Sequence, residues 1–255
     1  MTVILAVKCP GGAVIAADSQ ATVQEPQNLV MRIPTTKIFL LGSHLAYAGT
    51  GSVGLGQRIN ENLDGKTAEL GRARNRRESA GVIFKVVNPI QKAAVSEAVG
   101  LVGGQVATWA GLFCGCDSSG AWIYEIDANG ESQFHDLFVS KGSAYAVAHA
   151  AMVGVSHYDL ATSSLESVKA IAYRAIESTC LSSGYGVELP VQLAVVTTSG
   201  IHLILSGSDE HKEIETFVNL WKSKEVETLG QLAPKTSTGA TVLGEPDAGI
   251  DLSEI

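Results

Sequence analysis

Charge is what this chain has little of. Charged residues fill 17% of its 255 positions, against roughly 25% in an ordinary soluble domain. That shortage predicts either a surface partly covered by other subunits or a single domain with generous loops. The charge present sums to −8 at pH 7. An acidic balance excludes general affinity for nucleic acid or an anionic membrane, because both demand a cationic surface. The one basic run, Arg72-Ala-Arg-Asn-Arg-Arg77, has no aromatic interleaving and reads as a solvated loop or helix end. Cysteine is scarce as well. Cys9, Cys114, Cys116 and Cys180 follow no spacing of a metal knuckle or disulfide framework. They predict buried, reduced thiols in a cytoplasmic setting, with Cys114 and Cys116 on one strand face. No stretch is long and apolar enough for a membrane helix. Residues 1–8 lack the basic start of a secretory leader. His149 and His157 lie eight apart on an expected helix, which favours packing over metal binding.

What is abundant is glycine, 27 residues, and hydrophobic content, 45%, enough for one large core. Residues 2–7 are β-branched and apolar and predict a strand; 8–12 turn; 13–17 return, ended by Asp18. Residues 19–36, with Pro26 and Pro34, read as a polar loop. A second hairpin follows over 37–41 and 44–48. The glycine-rich turn at 49–54 leads into a helix over 52–63, and a second helix is predicted over 80–99, kinked or broken at Pro89. Strands are expected at 106–116, 121–127 and 133–140. Helices are expected at 143–158 and at 165–181, where Val168, Ile171, Ala172, Ala175 and Ile176 keep helical spacing. A last hairpin spans 191–197 and 201–205, and a charged amphipathic helix covers 211–221. Blocks of strands separated by helix pairs predict α+β layers. The divisions are a domain over 1–207, a helical extension over 208–235 and an acidic tail over 236–255, expected to be disordered.

The chemistry starts at Thr2. A hydroxyl needs a base to act as a nucleophile near neutral pH. A threonine left N-terminal by loss of Met1 carries its own, an α-amine with a pKa of roughly 7.7–8.0. Asp18 closes the partner strand of the first hairpin, so antiparallel pairing brings it toward Thr2. Lys37 opens the next strand at a similar level. A lysine beside the hydroxyl favours the alkoxide, and an aspartate keeps that lysine oriented. Gly49-Thr-Gly51 opens a helix, whose first N–H groups suit an anion.

These residues resemble the proteasome β-subunit and HslV peptidases, the threonine branch of the Ntn-hydrolases, as a bacterial-type proteasome homologue. The likeness rests on Thr2-Val-Ile-Leu-Ala-Val7, Gly12-Ala-Val-Ile-Ala-Ala-Asp-Ser-Gln-Ala-Thr22, Thr36-Lys-Ile-Phe39 and Ala48-Gly-Thr-Gly-Ser-Val-Gly54. Ile126-Asp-Ala-Asn-Gly130 and Ser140-Lys-Gly-Ser143 extend it, to about residue 205. The wording from Asp18 to Thr22 is nearer to HslV. The resemblance implies a four-layer αββα sandwich, the Ntn-hydrolase fold. It implies Thr2 as nucleophile with its α-amine as proton acceptor or relay, Lys37 lowering the hydroxyl pKa, Asp18 pairing with Lys37, Gly51 N–H as oxyanion donor and Ser143 near the amine. Ala21, Thr35, Gly49 and Val53 would wall a roomy, uncharged substrate pocket. It implies peptide hydrolysis without metal or organic cofactor, homomeric stacked rings around polypeptide substrates, and an ATP-dependent unfoldase as partner. Three departures accompany it. The segment between Asp18 and Lys37 is about three residues long for the family. The stretch 180–187 lacks the family's Asp, leaving Ser182 or Ser183 as substitutes. The tail beyond Gly207 has no counterpart. A catalytically silent ring subunit and a small-molecule Ntn amidase are the alternative readings.

Overall fold

The structure, a computed structural model, describes residues 2–24, 30–43, 45–99, 106–183 and 186–231. The tail expected to be disordered, 236–255, lies outside them. Contacts divide the chain into two units, Met1–Val218 and Asn219–Ile255.

The first unit opens with β1 (Ile4–Cys9) and β2 (Gly12–Ala17), a tight hairpin in which Ile4 faces Ala17 and Cys9 faces Gly12. Every residue of β2 is buried and β1 is buried save Lys8. Both strands are therefore covered on two sides, which is why they read as continuous apolar runs. Ile4, Ala6, Ala13, Ile15 and Ala17 join one core cluster. The alternate residues, Leu5, Val7, Val14 and Ala16, point the opposite way.

The segment expected as a polar loop folds instead as a ribbon, β3 (Gln20–Gln24) and β4 (Val30–Pro34), with Ala21 opposite Ile33. Thr22-Val23 and Val30 to Ile33 supply β-branched residues. The two prolines masked that propensity in the sequence; Pro34 sits at the ribbon's end, where a strand tolerates it. Next come β5 (Ile38–Leu41), β6 (Leu45–Gly51), α1 (Val53–Asp64), the short α2 (Thr67–Leu70) and α3 (Arg76–Val99). The basic run proves to be a helix start: Asn75 Oδ1 accepts from the N–H groups of Arg77 and Glu78. α3 continues through Pro89 without a break. Then β7 (Trp109–Asp117) and β8 (Gly120–Ile126) pair.

The single strand expected at 133–140 is two. β9 (Ser132–His135) pairs with β8, whereas β10 (Phe138–Lys141) pairs with β1 in the other sheet. Asp136-Leu137 makes the crossing, a change of partner invisible to local periodicity. α4 (Tyr145–Gly154) stops short of the expected end, leaving His157 beyond it. α5 (Leu165–Ser182), β11 (Gln192–Thr197), β12 (Gly200–Ile204) and α6 (Asp209–Gln231) complete the order, the last longer than its apolar spacing suggested.

Two five-stranded antiparallel sheets result, β10-β1-β2-β11-β12 and β5-β6-β7-β8-β9. They face each other across a layer of small residues, including Ala6, Ala17, Ala46, Ala48, Cys114 and Ala194. Small side chains let the sheets approach closely. Cys116 packs on the same cluster as Cys114, as strand alternation requires. α1 and α3 cover the second sheet through Leu55, Ile59, Leu63, Ile83 and Val87, packed on Tyr47, Trp109 and Phe113. α4 and α5 cover the first. The unit is thus an αββα sandwich. The start of α6 is tied to α5, where Lys169 Nζ meets Glu210 at 2.7 Å and Tyr173 donates to Glu215 at 2.9 Å.

Candidate active site

Thr2 lies just before β1, at the edge where the two sheets come together. Hairpin register carries Asp18 to its side: the Asp18 N–H donates to Val3 O at 3.3 Å, and Val3 N–H donates to Asp18 Oδ1 at 2.9 Å. Asp18 is fully buried. Its Oδ2 accepts from Gln20 N–H at 3.1 Å and its Oδ1 from Lys37 Nζ at 2.5 Å. Those donors satisfy the hydrogen-bonding demand of a carboxyl group taken out of water.

Lys37 belongs to the opposite sheet, one residue before β5. Gln192 of β11 holds its backbone: Lys37 N–H donates to Gln192 Oε1 at 2.9 Å, and Gln192 Nε2 donates to Thr35 O at 2.6 Å. So clamped, the lysine reaches across, and its Nζ donates to Thr2 Oγ1 at 3.1 Å. Lys37 is 6% exposed. Burial depresses its pKa below the ordinary lysine value, and Asp18 beside it restores only part of the loss. A depressed pKa makes the neutral amine, a proton acceptor, accessible nearer to neutral pH.

The third support is the turn after β10. Thr2 N–H donates to Ser143 Oγ at 3.0 Å, and Ala144 N–H returns to Thr2 O at 3.3 Å. The turn passes so near that a Cβ on Gly142, at φ +106, would collide with the Thr2 carbonyl. Gly51 is confined in the same way. It has φ +112, and a Cβ there would collide with the Thr108 carbonyl. Ser52 then caps α1, its Oγ accepting from Leu55 N–H.

Nine of the residues singled out in the sequence gather here. Asp18, Lys37 and Ser143 touch Thr2 or its neighbours, and Gly51 lines two cavities that share Thr2. Ala21, Thr35, Gly49 and Val53 line the smaller cavity with it. Ser182 does not join them: its hydroxyl donates to Ser178 O within its own helix. Ser183 Oγ is buried without a hydrogen-bond partner, and among the described residues Ser143 alone meets the Thr2 nitrogen. The sequence reading missed Gln192, Trp109, Asn60 and Cys180. Cys180 feels the charges of both Asp18 and Lys37, and burial with the Asp18 carboxylate pushes its thiol up to about 12. Among the described residues no group of His, Cys, Asp or Glu is arranged to hold a metal ion, and no helix is long and apolar enough to cross a membrane.

A staple holds the Ser143 turn against the second sheet. Lys141 Nζ meets Glu125 Oε1 at 2.5 Å, and His135 Nε2 meets Glu125 Oε2 at 2.5 Å. Burial works to raise the Glu125 pKa, but hydrogen bonds from His135, Lys141 and Gln133 and the Lys141 charge outweigh it and bring it to about 2. A carboxyl titrating lower in the folded chain than in the unfolded one stabilises the fold above the unfolded value. That contribution is complete above about pH 4.5 and disappears as pH falls through about 2. Glu125→Gln is expected to cost roughly 2 kcal/mol at pH 6. Chemical denaturation at stepped pH should show the gap to wild type closing between pH 4.5 and 2; a gap that stays constant would assign the staple no electrostatic role.

A four-layer αββα sandwich with a threonine, a buried lysine and a buried aspartate meeting at its open edge defines the Ntn-hydrolase type of fold. The family follows from comparison: the proteasome subunit family matches residues 2–191, and the chain belongs to it. The proteasome subunit beta of Methanothermobacter thermautotrophicus is 28% identical over 216 residues, 84% of this chain and 94% of that protein. That of Methanobrevibacter ruminantium is 27% identical over 177 residues, 69% and 77%. Among solved structures, Anbu (ancestral beta-subunit) from Yersinia bercovieri superposes with TM-score 0.71 at 16% identity, covering 93% of this chain and all of that one. A chain from the helical assembly of the Anbu complex of Pseudomonas aeruginosa gives 0.69 at 14% identity, covering 93% and 100%. These likenesses stand at the level of family and fold. A nearer likeness to HslV stays an expectation drawn from the wording of residues 18–22.

Proposed function

We propose that this chain is the catalytic subunit of a proteasome-like threonine peptidase, with Thr2 as its nucleophile once Met1 is removed. The observation that carries the reading is the contact between Lys37 Nζ and Thr2 Oγ1, 3.1 Å, made by a lysine that is itself held by a fully buried Asp18. Nothing in strand pairing calls for a buried ammonium at that place, and burying one is costly unless it serves.

In this reading the neutral Lys37 amine takes the Oγ1 proton as the oxygen attacks a peptide carbonyl. The oxyanion develops toward the Gly51 N–H. The freed α-amine of Thr2, positioned by Ser143, relays that proton from Lys37 to the departing amine as the C–N bond breaks. Water then hydrolyses the acyl-ester on Thr2. Sequestration of such a site fits a homomeric assembly of stacked rings in the cytoplasm, fed polypeptides by an ATP-dependent unfoldase. The family relationship and the low charge fraction support self-association; the helical assembly of the Pseudomonas Anbu complex leaves an open arrangement as the alternative geometry. Residues 208–235 are proposed as a helical extension of the domain over 1–207.

The deciding experiment treats the full-length protein with a peptide epoxyketone, which needs a hydroxyl and a free amine on one residue, followed by intact mass and N-terminal sequencing. Loss of Met1 together with one adduct on Thr2 is the expected result. A retained methionine or an acetyl cap without an adduct would instead identify a silent ring subunit, and an adduct without turnover of any peptide a small-molecule amidase.

A further inference from the structure

Thr2 and Lys37 belong to different sheets. Thr2 leads into β1 and Lys37 into β5, so the 3.1 Å between Oγ1 and Nζ is a distance from one sheet to the other. The layer between the sheets is rich in alanine. Such packing sets how closely two sheets approach but offers few large side chains to interlock against sliding. Polar ties near the site fix what the apolar layer leaves free. The bond between Glu125 of β8 and Lys141 of β10 is one, at the Ser143 turn. A second reaches Lys37 itself.

That second tie is the Gln192 side chain. Gln192 opens β11 and pairs with Ala17, which brings it to the same edge as Asp18, the next residue. By strand alternation it shares the inner face of β11 with Ala194 and Val196. Its amide accepts from Lys37 N–H at 2.9 Å and donates to Thr35 O at 2.6 Å. An amide offers a donor and an acceptor side by side, as a peptide group does. Here it acts as a ladder partner for residues that precede β5, which begins only at Ile38. Thr35 is held again through its own N–H, which donates to Ser19 O at 2.8 Å. Being uncharged, Gln192 grips the Lys37 backbone without adding a charge beside the buried Lys37–Asp18 pair.

Asp18 holds only the other end of the lysine. Its bond to Nζ fixes the tip, but a flexible aliphatic stem separates that tip from the backbone. With the root free, the stem would be able to fold so that the ammonium stayed on Asp18 and turned away from Thr2. Held at root and tip together, the lysine keeps little freedom, and its Nζ remains aimed at Thr2 Oγ1.

We propose that Gln192 is a positioning residue for the acyl-transfer reaction assigned above, on which this inference rests: its amide pins the start of β5 to β11 and so sets the separation between the nucleophile on one sheet and the proton acceptor on the other. It touches neither substrate nor the reacting oxygen, so its removal falls on the chemical step. A misplacement of about 1 Å costs on the order of a hundredfold in rate. Asparagine carries the same groups on a stem one methylene shorter, and contacts of 2.9 and 2.6 Å leave no slack for it to make both. Glutamate keeps the length. As a carboxylate it still accepts from Lys37 N–H but faces the Thr35 carbonyl with a second acceptor; protonated, it regains the missing donor.

The test compares the full-length wild type with Gln192→Leu, Gln192→Asn and Gln192→Glu, using one fluorogenic peptide and one peptide epoxyketone. Steady-state kcat and KM, the rate of Thr2 labelling and amide hydrogen exchange over residues 35–41 are read as pH is varied. In Gln192→Leu and Gln192→Asn, kcat and labelling are expected to fall about a hundredfold while KM stays within about threefold of wild type. Exchange should quicken over residues 35–41 and leave β1 and β2 protected. The rising limb of the pH profile should move to higher pH, because a loosened lysine takes up water and burial depresses its pKa less. In Gln192→Glu the rate relative to wild type should be highest at acid pH and fall as the new carboxyl ionises, a readout that serves even if the other two variants do not fold. A folded variant whose kcat stays within about twofold with the limb unmoved, a loss carried by KM alone, or a Gln192→Glu ratio that ignores pH overturns the positioning role and leaves the peptidase reading standing. A wild type that neither turns over nor takes the label would fell the peptidase reading and this inference together.

Discussion

Replacing Thr2 by alanine is expected to remove peptide hydrolysis by several orders of magnitude, to the limit of detection, while the protein still folds and assembles. The substitution deletes one oxygen and one methyl group from a residue that precedes β1. Its backbone stays, so the Thr2 N–H can still donate to Ser143 Oγ and the Thr2 carbonyl can still accept from Ala144. What disappears is the acceptor of the Lys37 hydrogen bond and, in the reading proposed, the atom that would carry the acyl group. No other hydroxyl among the described residues is bonded to Lys37, so no neighbour can substitute. Acyl-transfer enzymes stripped of their nucleophile keep only binding and oxyanion stabilisation. Fluorogenic peptide turnover, with size-exclusion chromatography on the same sample, makes the measurement. Activity within tenfold of wild type would exclude Thr2 as nucleophile.

The second large effect belongs to Lys37. Lys37→Ala would combine two losses, because it also strips Asp18, fully buried, of its cation. An uncompensated buried charge costs on the order of 3–5 kcal/mol, and the variant could fail through instability. Lys37→Met keeps the length and volume of the side chain. Asp18 then retains its bonds from Val3 and Gln20. General-base assistance contributes typically 10²–10⁴-fold, so a fall of about a thousandfold is expected. The pH profile separates chemistry from packing. Burial depresses the Lys37 pKa, so a rate that depends on its neutral form rises with pH through a value below the ordinary lysine range. In Lys37→Met that rising limb should be gone. A twofold loss with the limb intact would show that some other group accepts the proton.

These two effects rest on residues that could be named before any coordinates, and the reason is geometric. Thr2 and Asp18 flank the two strands of one hairpin at its open end, and strand pairing alone brings them together. Lys37 begins the next apolar run, and Gly51 closes the hairpin after it, immediately before a capped helix. Each position follows from short-range periodicity and turn chemistry. The helices over 53–64 and 165–182 and the paired strands are legible for the same reason.

What eluded the sequence depends on partners far away in the chain. Nothing local announces that residues 133–140 leave one sheet for the other at Asp136, or that two prolines hide a ribbon at 20–34. Gln192 clamps the Lys37 backbone from 155 residues away, and Trp109 lies against Gly49 only because β6 and β7 run side by side. The absence of an aspartate near residue 180 was visible; that Cys180 stands within the field of Lys37 and Asp18 was not. The sequence by itself determined which elements form and which groups are chemically capable, because periodicity and side-chain type are properties of neighbours. Tertiary structure alone decided the depressed lysine pKa and the two cavities that meet at Thr2, because burial and hydrogen-bond orientation exist only once distant strands have excluded water between them.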